Sequence, residues 1–79
     1  MSRLGQFIKE VRLKKKIKQT DIAKAMGYTS QFVCNWERGV SAPPMEKLRE
    51  LCKVLRVDPK FVKRHLIKDY KDRVNEVLK

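Results

Sequence analysis

Two amide side chains, Gln31 and Asn35, stand four positions apart in the segment QTDIAKAMGYTSQFVCNWERG, which covers residues 19–39. A spacing of four brings two side chains to one face of an α-helix, because the helix has 3.6 residues per turn. Glutamine and asparagine amides can each form paired hydrogen bonds with N6 and N7 of adenine. The spacing therefore places two side chains that could recognise base edges on one face of a predicted helix.

The helix that carries these amides has an inward face and an outward face. Val33 and Trp36 lie three positions apart, which is the spacing of apolar residues that face a core. Phe32 lies at the edge of the outward face, where its ring could contact a thymine methyl or pack into the core. The predicted base-reading residues are Gln31, Asn35, Ser30, Phe32 and Cys34.

The charge of the chain is unevenly distributed. Its 79 residues carry a formal net charge of +11, which predicts a polyanionic partner. Residues 1–18 hold seven basic and one acidic side chain, and residues 59–79 hold seven and three, whereas residues 19–42 hold two of each. Phosphate attraction depends on charge, but base identity is read by directed hydrogen bonds. We therefore expect the neutral segment to read bases and the flanks to hold phosphates. The alternative, a basic surface that is only solvated, would predict more acidic side chains.

Composition limits the other classes of function. Hydrophobic residues make up 42% of the chain, which predicts one folded domain. We find no membrane-spanning run and no signal peptide, so we expect a cytoplasmic protein. Two cysteines, Cys34 and Cys52, and one histidine, His65, do not suffice for a disulfide framework, a metal site or a nucleophile triad. We expect no cofactor, no small-molecule ligand, no membrane partner and no enzymatic activity.

Apolar spacing predicts an all-α fold with five helices. The predicted helices cover residues 3–15, 19–26, 30–38, 45–56 and 59–79. The predicted N-caps are Ser2, Thr29 and Asp58, because short polar side chains satisfy free amides at helix starts. Gly27 and Gly39 are the predicted ends of the second and third helices, since glycine readily adopts the left-handed conformation.

Two short helices joined by a turn that contains glycine are typical of a helix-turn-helix. The residues that carry the pattern are Gln19, Ile22, Ala23, Met26, Gly27, Val33, Trp36, Glu37 and Gly39, followed by two prolines and LRELCKVLRVD. Over residues 4–66 the chain resembles the lambda repressor and Cro type of helix-turn-helix, also called the xenobiotic response element family. The resemblance implies a five-helix DNA-binding domain over residues 1–66 that works as a homodimer on a palindromic operator in double-stranded DNA.

The resemblance also implies roles for single residues. Gln19 matches a glutamine that bonds a phosphate and braces a neighbouring reader, and Arg12 matches an arginine that pairs with Glu37. The other expected phosphate contacts are Lys18, Thr29, Arg38 and Lys24. Each lysine of the 14–16 run is either solvated or in contact with phosphate. The chain departs from the family pattern at three helix ends, where Lys18, Pro44 and Arg56 replace the usual capping residues or glycine.

The C-terminal extension, residues 67–79, continues a helix with an apolar ridge. The ridge residues are Leu66, Tyr70, Val74, Val77 and Leu78. The ridge can fold back on its own domain, pair with the same helix of a second chain, or lie on an anionic membrane. We favour dimerisation, because a twofold dimer matches a palindromic site.

These features predict a transcriptional regulator that acts as a repressor. A second hypothesis is an antitoxin of the same fold, whose main partner is a toxin protein and which binds DNA to regulate its own operon. A third class, an enzyme, has no constellation of acid, base and nucleophile to support it. Cys34 on the outward face could also serve as a redox switch, since an oxygen or adduct on its sulfur would obstruct contact with the groove.

Overall fold

The computed structural model describes residues 2–78, which form five α-helices and no β-strand. The helices are α1 (Arg3–Lys14), α2 (Gln19–Met26), α3 (Ser30–Arg38), α4 (Leu48–Leu55) and α5 (Pro59–Val77), with a short 3-10 turn at Met45–Lys47 before α4. The predicted all-α, five-helix fold is confirmed. The predicted DNA-binding domain begins at Met1 and the predicted C-terminal extension ends at Lys79. These two residues lie outside the described part of the chain. No helix in the described part is long and apolar enough to span a bilayer.

Several helix ends are set by the residues that the sequence indicated. The Ser2 hydroxyl accepts a hydrogen bond from the Gly5 backbone N–H at 3.0 Å, so Ser2 caps α1. Asp58 accepts from the Lys60 N–H at 3.0 Å and Pro59 follows at the first helical position. Gly27 and Gly39 end α2 and α3 with φ of +76°. At these two positions a side chain would strain the backbone.

Three helix ends differ from the prediction or from the family pattern. Thr29 occupies the N-cap of α3, but its hydroxyl makes no capping hydrogen bond. At the start of α2, Lys18 offers no capping side chain, but the Asp21 carboxylate accepts a hydrogen bond from the Lys18 backbone N–H at 3.1 Å. An acidic residue three positions later therefore satisfies the amide at this helix start. Arg56 ends α4 with φ of +57°, and Lys15 Nζ donates to the carbonyls of Leu55 and Arg56 at 2.8 and 2.6 Å. A cation on the last carbonyls of α4 compensates for the missing glycine.

All five helices contribute to one core. Its buried apolar side chains are Leu4, Ile8, Ile22, Ala23, Met26, Val33, Trp36, Leu51, Cys52, Leu55 and Val62. The inward placement of Val33 and Trp36 is confirmed. The fourth helix was predicted to begin at residue 45, but Met45 lies in a 3-10 turn and is 77% exposed, and α4 begins only at Leu48. Burial raises the pKa of the Cys52 thiol, and nearby Asp58 adds to the shift, so this thiol stays neutral and packs as an apolar side chain.

The last helix, α5, packs against α1 and α4. Val62 is buried and Leu66 packs against the core, while His65 stacks on Phe7 of α1 at 4.4 Å between ring centroids. Further along, Tyr70 is 71% exposed and Val77 is 80% exposed. The helix α5 therefore folds back on its own domain, while its C-terminal part leaves apolar side chains exposed.

Candidate nucleic-acid interface

The connection between α2 and α3 is short and tightly braced. Ala23 is buried where α2 packs against α3. After Gly27 reverses the chain, the Tyr28 backbone N–H donates to the Ala23 carbonyl at 2.8 Å. The Tyr28 ring then meets Trp36 edge-on, with 5.4 Å between ring centroids. The hydrogen bond joins the turn to α2 and the ring contact joins it to α3. Together they fix the angle between these two helices.

The two amides proposed as base readers lie together on the outer surface of α3. Gln31 is exposed and Asn35 is half-buried. The Gln31 Nε2 donates to Asn35 Oδ1 at 3.0 Å, and within residues 2–78 neither amide makes another hydrogen bond. This hydrogen bond links the two side chains and leaves the acceptor Gln31 Oε1 and the NH2 donor group Asn35 Nδ2 available. The assignment of nitrogen and oxygen in each amide follows this hydrogen bond.

The remaining predicted readers surround this pair in different environments. Ser30 is exposed at the start of α3, and Cys34 is half-buried one turn later. Phe32 is 49% exposed, and its ring packs against Tyr28 with 5.1 Å between centroids. One part of the Phe32 ring therefore packs on the turn while the rest faces outward. Phe32 does not belong to the core, and its contact with a thymine methyl stays a prediction.

The C-terminal end of α3 is held by a network of hydrogen bonds centred on Glu37. Arg12 of α1 binds this carboxylate with both ends of its guanidinium, Nε to Oε2 at 2.6 Å and Nη2 to Oε1 at 3.1 Å. Gln19 of α2 donates Nε2 to Glu37 Oε1 at 3.0 Å. The side chains of Arg12 and Glu37 are only 11% and 3% exposed. Arg12 also donates to the Ile17 carbonyl at 3.2 Å, which ties the α1–α2 connection to the same network.

A recess of about 580 Å³ opens beside α3 and collects several of the predicted residues. It is lined by Lys9, Arg12, Gln19, Thr20, Ser30, Cys34, Glu37 and Arg38. The Glu37 charge is already paired with Arg12, so Lys9 and Arg38 give the recess a positive balance. Sequence reasoning missed Lys9 and Thr20. Lys9 lies three positions before Arg12 on the same helix face, and this spacing was the signal that could have found it.

Three of the predicted phosphate contacts lie outside this recess. Lys18, Lys24 and Thr29 are exposed on α2 or at the helix starts. Gln19 is half-buried, and its amide bonds Glu37. The structure therefore brings Gln19 and Arg38 together with Ser30 and Cys34, and it leaves the two lysines as separate exposed charges.

The five residues of the predicted dimerisation ridge do not form one uniform face. Leu66 and Val74 are half-buried, and Leu66 packs against the core of its own domain. Tyr70, Val77 and Leu78 are 71%, 80% and 77% exposed. Ile67, which the sequence analysis did not include, is 45% exposed beside them on the same helix.

Comparison with known proteins identifies the class to which this fold and surface belong. A family model described as helix-turn-helix matches residues 8–62. The "ImmF control region 10 kDa protein" of Bacillus phage phi105 is 31% identical over 61 residues, which cover 77% of this chain and 68% of that protein. An uncharacterized HTH-type transcriptional regulator of Sinorhizobium fredii, y4wC, is 33% identical over 58 residues, covering 73% of this chain but only 41% of the regulator. This chain therefore matches less than half the length of that regulator.

A solved structure shows the same fold together with DNA. The P22 c2 repressor, in complex with a synthetic operator, superimposes with a TM-score of 0.69 and 32% sequence identity, covering 75% of this chain and 89% of the repressor. The chain belongs to the helix-turn-helix family, in its lambda repressor and Cro type. Its class is that of DNA-binding transcriptional regulators.

Replacing Arg12 tests the network at the C-terminal end of α3. Arg12→Met leaves the Glu37 carboxylate buried with only Gln19 as a partner, and we expect the free energy of unfolding to fall by about 3 kcal/mol in a urea titration. The matched control is Lys47→Met, which removes the cation of an exposed pair with Glu50 and is expected to cost less than about 1 kcal/mol. Equal losses in the two variants would show that the buried network does not hold α3.

Proposed function

We propose that this protein is a sequence-specific transcriptional repressor that binds double-stranded DNA as a homodimer in the cytoplasm. In this proposal α3 enters the major groove, and each protomer reads one half of a palindromic operator. The protein acts by binding and not as an enzyme. The observation that carries the proposal is the geometry of α3, whose outer surface presents a hydrogen-bonded amide pair while its C-terminal end is fixed by α1 and α2.

The amide pair has the chemistry of a base reader. Adenine presents an acceptor, N7, and a donor, the N6 amino group, in the major groove. Gln31 Oε1 and Asn35 Nδ2 offer the complementary acceptor and donor, since the hydrogen bond between the two amides uses only their other atoms. We infer that Gln31 and Asn35 read an adenine jointly or two neighbouring bases singly. Ser30, Cys34 and the exposed part of Phe32 complete the reading surface.

The charged groups around α3 are suited to phosphates. Lys9 and Arg38 line the recess beside α3, and Lys18, Lys24 and Thr29 are exposed near the starts and outer faces of α2 and α3. Gln19 is held by Glu37, and at the first position of α2 it also places a backbone N–H toward a bound phosphate. Neutralisation of phosphates by these cations releases counterions, so binding to all DNA should weaken steeply with salt.

The exposed end of α5 supports the dimer. Ile67, Tyr70, Val77 and Leu78 leave apolar surface exposed along two turns and more of one helix. A second copy that pairs along this stretch would bury the same residues from both chains, as twofold symmetry requires. The two copies of α3 would then reach successive major grooves about 34 Å apart. The P22 c2 repressor, which has the same fold, forms a complex with an operator, and this supports DNA as the partner.

Gln31→Ala tests base reading. We expect specific affinity for the preferred duplex to fall about tenfold, and sequence preference to relax at one position per half-site, because one bidentate contact discriminates by roughly 1–3 kcal/mol. Affinity for unrelated DNA should change less than twofold. The preferred duplex is first selected from random DNA with the unaltered protein, and affinities are measured by fluorescence anisotropy at fixed salt.

The matched control for this variant is Gln6→Ala, because Gln6 is also an exposed helical glutamine whose amide bonds a side chain four positions later. Gln6 lies on the flank of α1 that faces α5. We expect the control to bind both duplexes like the unaltered protein. Equal weakening of Gln31→Ala on all sequences would contradict base reading by this amide.

Tyr70→Glu tests the dimer. A charge placed on the exposed apolar stretch should raise the dimer dissociation constant at least tenfold in sedimentation equilibrium, because the carboxylate would be desolvated at the interface. Leu13→Glu is the control, since Leu13 is 57% exposed on α1, away from this stretch, and its replacement should leave the mass unchanged. A dimer that survives Tyr70→Glu would place the interface elsewhere.

A further inference from the structure

The carboxylate of Asp69, on α5, binds the start of α1. Asp69 Oδ1 accepts a hydrogen bond from the Arg3 backbone N–H at 2.8 Å. Its other oxygen, Oδ2, accepts from the Leu4 backbone N–H and from the Ser2 hydroxyl, each at 3.1 Å. These partners are 65 to 67 positions away in the chain. A carboxylate at a helix N-terminus satisfies free amides and is stabilised by the helix dipole, so this contact docks α5 firmly on α1.

The first turn of α1 also packs against the C-terminal end of α3. A Cβ atom at Gly5 would collide with the backbone carbonyl of Trp36 and would lie 2.9 Å from that of Glu37. A Cβ atom at Gly39, just after α3, would lie 3.1 Å from Ser2. The segment Ser2–Gly5 is therefore enclosed between Asp69 on one side and the C-terminal end of α3 on the other. We call this arrangement the N-terminal clasp.

We propose that Asp69 is a positioning residue for DNA reading, acting through the N-terminal clasp on α3. This inference rests on the proposed function, because it assumes that α3 reads the bases. The Glu37 network holds α3 from α1 and α2, and the clasp holds its C-terminal end from the first turn of α1. Release of Asp69 frees the amides of that turn, so Ser2–Gly5 no longer forms a fixed support for Trp36, Glu37 and Gly39.

The clasp gives the second half of α5 an influence on the reading helix. Tyr70 follows Asp69 directly and belongs to the exposed apolar stretch of α5. Whatever orders this stretch also orders Asp69, since both lie on one unbroken helix. When a second copy pairs with α5, the placement of α3 that fits DNA should therefore become more populated. By thermodynamic linkage, bound DNA should strengthen the dimer by the same factor.

Asp69→Asn tests the clasp with little change in size. The asparagine keeps one acceptor oxygen but places an NH2 donor where the other carboxylate oxygen accepted, so one of the two contacts to the α1 amides is lost together with the negative charge. The measured quantity is the ratio of affinities for a selected half-site duplex and an unrelated duplex, each long enough for one protomer. We expect this ratio to fall about tenfold while affinity for the unrelated duplex is retained. A ratio within twofold of the unaltered protein would overturn the proposal.

Asp72→Asn is the matched control. Asp72 lies one turn further along α5 and accepts a hydrogen bond from the side chain of Arg3 at 2.9 Å, not from the α1 backbone. Its replacement by asparagine removes the same charge as Asp69→Asn. We expect the control to keep the ratio within twofold. An equal fall in both variants would overturn the proposal, because the effect would then follow from net charge and not from the clasp. If Asp69→Asn does not fold, Ser2→Ala replaces it with the same expectations.

A measurement without DNA separates this inference from the proposed function. The backbone N–H of Val40 donates to the Asn35 carbonyl at 3.0 Å, at the end of α3 that the clasp supports. In the free protein we expect amide exchange at Gly39 and Val40 to be at least fivefold faster in Asp69→Asn than in Asp72→Asn, with core amides of α4 unchanged. Unchanged exchange at both positions would overturn the clasp. If the unaltered protein showed no preference among duplexes while exchange changed as expected, the proposed function would fail and the structural link would stand.

Discussion

The burial of Glu37 is the constraint on which the placement of the reading helix depends. A carboxylate that is 3% exposed must be paired, and its partners come from two other helices, Arg12 on α1 and Gln19 on α2. The orientation of α3 is thus tied to both helices through one side chain. Because Glu37 is turned toward α1 and α2, the network leaves the outer face of α3, which carries Gln31 and Asn35, available for contact with DNA.

Charge and hydrogen bonding are separated in space around this fixed helix. The amides of Gln31 and Asn35 are neutral and hydrogen-bonded to each other, whereas the cations lie on α1, on α2 and at the end of α3. A neutral reading face avoids a strong attraction for any phosphate at the position where bases should be discriminated. The surrounding charge supplies sequence-independent affinity, and specificity is left to the directed groups.

Local features were predictable from the sequence, and distant contacts were not. Ser2, Gly27 and Gly39 act within one helix turn, so their roles and the five helices followed from spacing alone. Lys15 and Asp69 act on carbonyls and amides that lie 40 to 66 positions away, and no periodicity reveals such partners. Met45 was misplaced because helical spacing does not distinguish a 3-10 turn from the first turn of an α-helix. The Arg12 and Glu37 contact was expected only from resemblance to a family.

A crystal structure of the protein with a duplex selected from random DNA tests the central claim most directly. The account predicts α3 in the major groove, with Gln31 and Asn35 within hydrogen-bonding distance of base edges and the Arg12 and Glu37 contact kept as in the free protein. A complex in which the duplex lies along α5, or in which α3 faces solvent, would contradict it.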